Sequence, residues 1–88
     1  MITLSLPVNN KSGLHARPAA LFVQAAKGFQ SSVKVKKDAK QVDGKSLLSL
    51  MTLGAGPGSQ VEVTVEGPDE AEAAKAIQAL ADDKFGEH

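Results

Sequence analysis

The 88-residue sequence has no cysteine, no tryptophan, no tyrosine and no net charge. Without cysteine there is no disulfide framework, no zinc-thiolate site and no thiol chemistry, a usage compatible with a reducing cytosol. Three phenylalanines are its only aromatic residues, so the core has to be built from Val, Leu, Ile and Ala. Ten basic residues against ten acidic ones argue against a general nucleic-acid binder, which carries a basic excess. No apolar run approaches transmembrane length, and the first residues lack the charged start and apolar stretch of a secretory leader. A soluble, cytoplasmic chain with neither membrane nor nucleic-acid partners is expected. Internal repeats, linkers and low-complexity segments are also missing, so residues 1–88 read as one small domain.

What is present is organised around Gly13-Leu14-His15-Ala16-Arg17-Pro18. Pro18 suits the first turn of a helix, where its missing N–H costs nothing. Ala19 to Lys27 follow with no breaker until Gly28. His15 is therefore expected beside free backbone N–H groups at the positive end of a helix dipole. Amide donors and the Arg17 guanidinium together suit a phosphoryl group. Imidazole, with a reference pKa of ~6.5, is available as a nucleophile near neutrality. His15 is read as a nucleophile that accepts phosphate and hands it on, with Ala16, Arg17 and Pro18 at the phosphate. No second base or metal cluster is evident for a stand-alone hydrolase, and no cofactor or metal is expected.

Around this segment the chain alternates between two periodicities. Ile2 to Val8 is apolar at even positions and reads as a strand with one buried face; Pro7 places it at a sheet edge. The following helix buries Ala19, Phe22, Val23 and Ala26, and Gly28 is expected in the left-handed position at its end, with Phe29 packing beside it. Ser32–Lys37 and Lys40–Asp43 form a hairpin turning at Asp38-Ala39. Ser46 caps a two-turn helix that Gly54 stops. Ala55-Gly56-Pro57-Gly58 lacks the Lys-Ser/Thr of a nucleotide loop and is a turn. Gln60–Glu66 is a strand with three valines inward, its glutamates placed to face the lysines of the Val33/Val35 strand. Asp69-Glu70-Ala71-Glu72 opens a last helix as a D-x-x-E variant of the capping box. That helix buries Ala74, Ile77, Leu80 and Ala81; Phe85 closes it and Gly86 ends it, with His88 a disordered tail. The order β-α-β-β-α-β-α implies a sheet with one face covered by helices and one wet.

The short second helix is apolar nearly all round, so part of Leu47, Leu48 and Met51 should stay exposed. With Ala20 and Leu21 these would form one docking surface beside His15, rimmed by Gln24, Lys27, Lys45 and Ser49. A surface serving both donor and acceptor should bind weakly, and flexible Leu and Met side chains suit that use.

Two motifs carry a resemblance to a known family. Gly13-Leu14-His15-Ala16-Arg17-Pro18-Ala19 resembles the phosphohistidine signature of the HPr family, the phosphocarriers of the bacterial phosphoenolpyruvate-dependent sugar phosphotransferase system. Lys45-Ser46-Leu47-Leu48 with Met51-Thr52-Leu53-Gly54 resembles that family's regulatory-serine signature, and the likeness runs over essentially the whole length. The resemblance implies an α+β fold, an open-faced β-sandwich with a four-stranded antiparallel sheet in order 1-4-2-3 and three helices on one face. It implies that His15 Nδ1 takes a phosphoryl group from phospho-enzyme I, itself charged by phosphoenolpyruvate, and passes it to the A domain of a sugar-specific enzyme II. Arg17 would pair with the phosphate, and Ser46 would be a regulatory phosphorylation site. A serine kinase (HPr kinase/phosphorylase) and a catabolite-control transcription factor are implied as further partners of a monomeric carrier. Within the family the alternatives are a nitrogen-branch member or a mainly regulatory one; the catabolite-repression relative lacks the histidine, so His15 argues against the latter. A different class of answer is a small interaction module without phosphotransfer.

Overall fold

Three runs of alternating apolar and polar residues and the second arm of the hairpin become four strands in the computed structural model, which describes residues 1–87. They are β1 (Ile2–Pro7), β2 (Ser32–Lys37), β3 (Lys40–Asp43) and β4 (Gln60–Glu66). All three pairings are antiparallel and the sheet order is β1-β4-β2-β3. The register stacks the apolar sets: Val63 of β4 stands between Leu4 and Val35, and Val65 between Ile2 and Val33. Val33, Val35, Val61, Val63 and Val65 are buried, while Lys34, Lys36, Glu62 and Glu66 on the other face are exposed. A one-residue slip would turn every valine to water, so this alternation sets the register. Pro7, which cannot donate to a ladder, lies on an edge strand as expected.

Helices α1 (Ala16–Lys27), α2 (Leu47–Thr52) and α3 (Glu70–Asp82) cover the valine face. Helix α1 buries Pro18, Ala19, Phe22, Val23 and Ala26 and packs against both α2 and α3. Helix α2 turns Leu50 inward, and its N-cap Ser46 accepts a bond from the Ser49 N–H through its side chain. Among the described residues no helix is long and apolar enough to cross a membrane.

Several local expectations change in the folded chain. Helix α1 begins at Ala16, two residues before Pro18, because the His15 carbonyl already accepts the Ala19 N–H. Gly28 is right-handed (φ −71°), since the chain leaves α1 by a tightened turn in which Gly28 and Phe29 donate to Ala25 and Ala26. Helix α3 stops at Asp82, before Phe85; Leu80 is only half buried, and Ala73 takes a buried place instead. Phe85 is buried from a separate turn, Lys84–Gly86. The strand-face lysines and glutamates meet only in part: Lys36 stands opposite Glu62, Lys34 faces Thr64, and no ion pair joins them. Exposed pairs of this kind gain little in water. His88, expected as a tail, lies outside the described residues.

The D-x-x-E capping box does not form. Asp69 makes no side-chain bond to its own helix; its carboxylate accepts from the Gln30 N–H, the Ser31 N–H and the Ser31 hydroxyl. Glu70, not Glu72, reaches back, to the Gly67 N–H. Asp69 thus pins the α1–β2 turn, and the Ser31 hydroxyl bond, followed by the Gln30 amide, holds its pKa below the usual carboxylate value. A carboxylate with a lowered folded pKa stabilises above its unfolded value, ~3.9 for Asp, and loses that contribution as pH falls through the folded one. In urea unfolding, Asp69→Asn should lower the midpoint at about pH 6 and shrink the further drop seen on going to about pH 3. The drop should not vanish, because the Glu70 and Glu87 pKa values are lowered too.

Candidate functional site

The site begins before α1, where the loop is drawn against a second loop. Gly13 has φ +65°, and a Cβ there would lie 2.5 Å from the Ala55 carbonyl oxygen and 2.7 Å from Gly56 Cα. Only glycine tolerates that approach and that backbone region together. Next, Leu14 is buried and its N–H donates to the Ala55 carbonyl at 2.8 Å. His15 follows as the N-cap of α1, in extended backbone, with its carbonyl taken by Ala19 at 2.8 Å.

The imidazole is exposed and caps nothing. Ala16 and Arg17 are exposed as well, and their amides precede the first helical bond, so they point out of the helix end unpaired by it. Pro18, expected with them at the phosphate, is buried and has no N–H, so it offers no donor there. The Arg17 side chain makes no hydrogen bond or ion pair with any described residue. A depression of about 180 Å³ beside the ring is lined by Ser12, Leu14, His15, Met51, Gly54, Ala55 and Gly56. The fold thus brings Met51 of α2 and the loop after it to the same place as His15. Two amide donors, a free guanidinium and an open imidazole can receive an oxyanion from solvent or from a partner. Among the described residues no cluster of His, Asp and Glu comes together to seat a metal.

The positions expected to form a docking surface differ in exposure. Leu48 is 75% exposed and Leu47 39%, while Ala20, Leu21, Ser49 and Met51 are half buried and Gln24 and Lys27 exposed. Full burial of a Leu side chain stabilises by ~1.5–3 kcal/mol, and Leu48 forgoes most of that in this chain. Lys45, expected on the rim, is half buried and its ammonium donates to the Phe29 carbonyl at 2.9 Å, tying the segment after α1 to the start of α2. Leu21 also has a partner, since it lies where a Cβ of Gly86 would fall. Sequence reasoning missed Asn10, Ser12 and Glu87, the first two of which both donate to the Glu87 carboxylate beside the loop. Nothing local links positions 77 residues apart.

The family model for PTS-HPr, the HPr component phosphorylation site of the phosphotransferase system, matches residues 2–83. The phosphocarrier protein HPr of Treponema pallidum is 46% identical over 87 residues, covering 99% of both chains. The HPr-like protein Crh of Halalkalibacterium halodurans is 46% identical over 80 residues, covering 91% of this chain and 95% of its own. A crystal structure of HPr-C-His from Thermoanaerobacter tengcongensis superposes with a TM-score of 0.96 at 49% identity, covering 100% of this chain and 99% of the other. A second structure of the HPr from that organism is a dimer, with a TM-score of 0.79, 49% identity and coverage of 99% and 100%. A monomeric state therefore does not follow from the likeness.

The seat under Gly13 can be tested against Gly28, which has no positive φ and whose nearest neighbour would stand 3.5 Å from an added Cβ. Gly13→Ala should cost ~1–2 kcal/mol from backbone strain alone, and more from the Ala55 contact. Gly28→Ala should be neutral or stabilising by ~0.4–1 kcal/mol. Urea unfolding of the two variants measures both.

Proposed function

Because the chain belongs to the HPr family of phosphocarrier proteins, we propose that His15 carries a phosphoryl group from phospho-enzyme I to the A domain of a sugar-specific enzyme II. The Nδ1 lone pair attacks phosphorus in line as the bond from phosphorus to the donor breaks; a nucleophile of the acceptor then attacks the same phosphorus, and the N–P bond breaks with its electron pair returning to Nδ1. Such transfer depends on placement and on stabilising charge at the equatorial oxygens. Arg17 and the Ala16 and Arg17 amides supply that charge from this chain, and the partner supplies the rest. The observation that carries the reading is the exposed imidazole at the start of α1 with an exposed guanidinium two residues on, neither with a side-chain partner among the described residues.

Leu47, Leu48 and Met51, with Ala20, Leu21, Gln24 and Lys27, form the surface for both partners. Ser46 sits at its border, half buried, with its hydroxyl accepting from Ser49 at 3.3 Å. Phosphate there adds roughly −1.5 to −2 charge next to Leu47 and Leu48, weakening docking while leaving the fold in place. HPr kinase/phosphorylase and a catabolite-control transcription factor are the partners of that modification, and the cytoplasm is where all of them meet the protein.

With enzyme I and labelled phosphoenolpyruvate, the protein should take up acid-labile, base-stable label, and His15→Ala should take up none. Label persisting on that variant sinks the assignment. Arg17→Ala should slow transfer by about 10²-fold. Ser46→Asp should raise the KM for enzyme I by about tenfold, and an unchanged transfer rate would count against the serine switch.

A further inference from the structure

The loop that presents His15 is held on one side by the Ala55 carbonyl and on the other by Glu87. The Glu87 carboxylate accepts three bonds, each of 2.8 Å: from Asn10 Nδ2, from the Ser12 N–H and from the Ser12 hydroxyl. Asn10 is buried, and the same Nδ2 also donates to the Gly13 carbonyl at 2.8 Å, while its Oδ1 has no partner among the described residues. The orientation of this amide is thus set by two acceptors alone, Gly13 and Glu87. Ser12 in turn lines the depression that contains His15.

The path that brings Glu87 there is a constrained one. Lys84, Phe85 and Gly86 all have positive φ (54°, 52° and 79°), a region that the first two adopt only under constraint. Burial of Phe85, contact of Gly86 with Leu21 and the three bonds of Glu87 supply it. The chain after α3 is therefore turned back across α1 to reach the loop before His15.

Resting on the carrier reading, we infer that Glu87 is a positioning residue for His15: its carboxylate locks Asn10 and Ser12 and so fixes the loop from which the imidazole is presented. It touches neither phosphate nor partner in this role. An amide in its place retains one acceptor oxygen and turns a donor toward the Asn10 and Ser12 donors, so the lock opens.

In the enzyme I assay with labelled phosphoenolpyruvate, Glu87→Gln should lower the maximal rate of phosphorylation about tenfold and leave the KM for enzyme I within about twofold. The amide resonances of Ser12, Gly13 and His15 should shift while those of β2 and β4 stay in place, which also establishes that the variant is folded. Ser12→Ala, which removes one donor, should slow transfer less, and adding it to Glu87→Gln should have little effect of its own, the mark of one coupled unit. If Glu87→Gln takes label as fast as the parent, or if Ser12→Ala multiplies its effect independently, the inference is overturned and the carrier reading stands. If the parent itself takes no label, the carrier reading fails and the inference falls with it.

Discussion

Leu14 is buried with its N–H committed to the Ala55 carbonyl, while the His15 carbonyl is committed to Ala19 as the first bond of α1. Between these two anchors the His15 side chain stands exposed at the N-terminal end of α1 and its dipole. The seat for Gly13 under Ala55 is part of the same constraint, since any Cβ there would push the two loops apart. Everything proposed for this chain depends on that junction: the open imidazole, the two unpaired amides and the reach of Arg17 all follow from where the helix starts. Pro18 contributes by being buried at the third helical position, where it fixes the turn and offers no competing donor.

Helix α2 shows a related economy. Six residues present Leu50 to the core and Leu47 and Leu48 to water. Exposure at this level is poor use of a leucine for stability, and it falls on the element whose Met51 lines the depression beside His15. Met51 thus links the helix that exposes Leu47 and Leu48 to the depression beside His15, an arrangement that suits the proposed carrier role. The same proximity would make charge at Ser46 felt at that face without any change of fold.

Three polar side chains act as struts between segments distant in the chain. Asp69 holds the turn after α1, Lys45 joins that turn to the start of α2, and Glu87 holds the loop before His15. In each case a charged group meets at least one backbone group of a loop, which is stronger than a neutral bond and satisfies a donor or acceptor that the loop leaves open. The loops are consequently fixed by tertiary contacts, although none of them has regular structure of its own.

Much was legible from residue order alone, because it rests on local physics. Alternation with period two marked β1, β2 and β4 and the buried valines of the last two, a turn at Asp38-Ala39 marked β3, and the helical spacing of Ala19, Phe22, Val23 and Ala26 marked the inner face of α1. Pro7 declared an edge strand through its missing donor, and Ser46 declared a helix start through its side-chain acceptor. The place of His15 and Arg17 before an uninterrupted helix announced two exposed side chains at the start of α1, the positions on which the phosphate site is proposed. What only the tertiary structure decided were the choices between local and distant partners. Asp69 was suited to capping its own helix yet bonds Ser31; Lys45 looked like a surface cation yet ends at Phe29; Glu87 had no visible role yet closes on Asn10 and Ser12. A carboxylate or ammonium of given reach binds whichever donor or acceptor the packed core brings near, and that neighbour is chosen by burial across the whole chain, not by spacing along it.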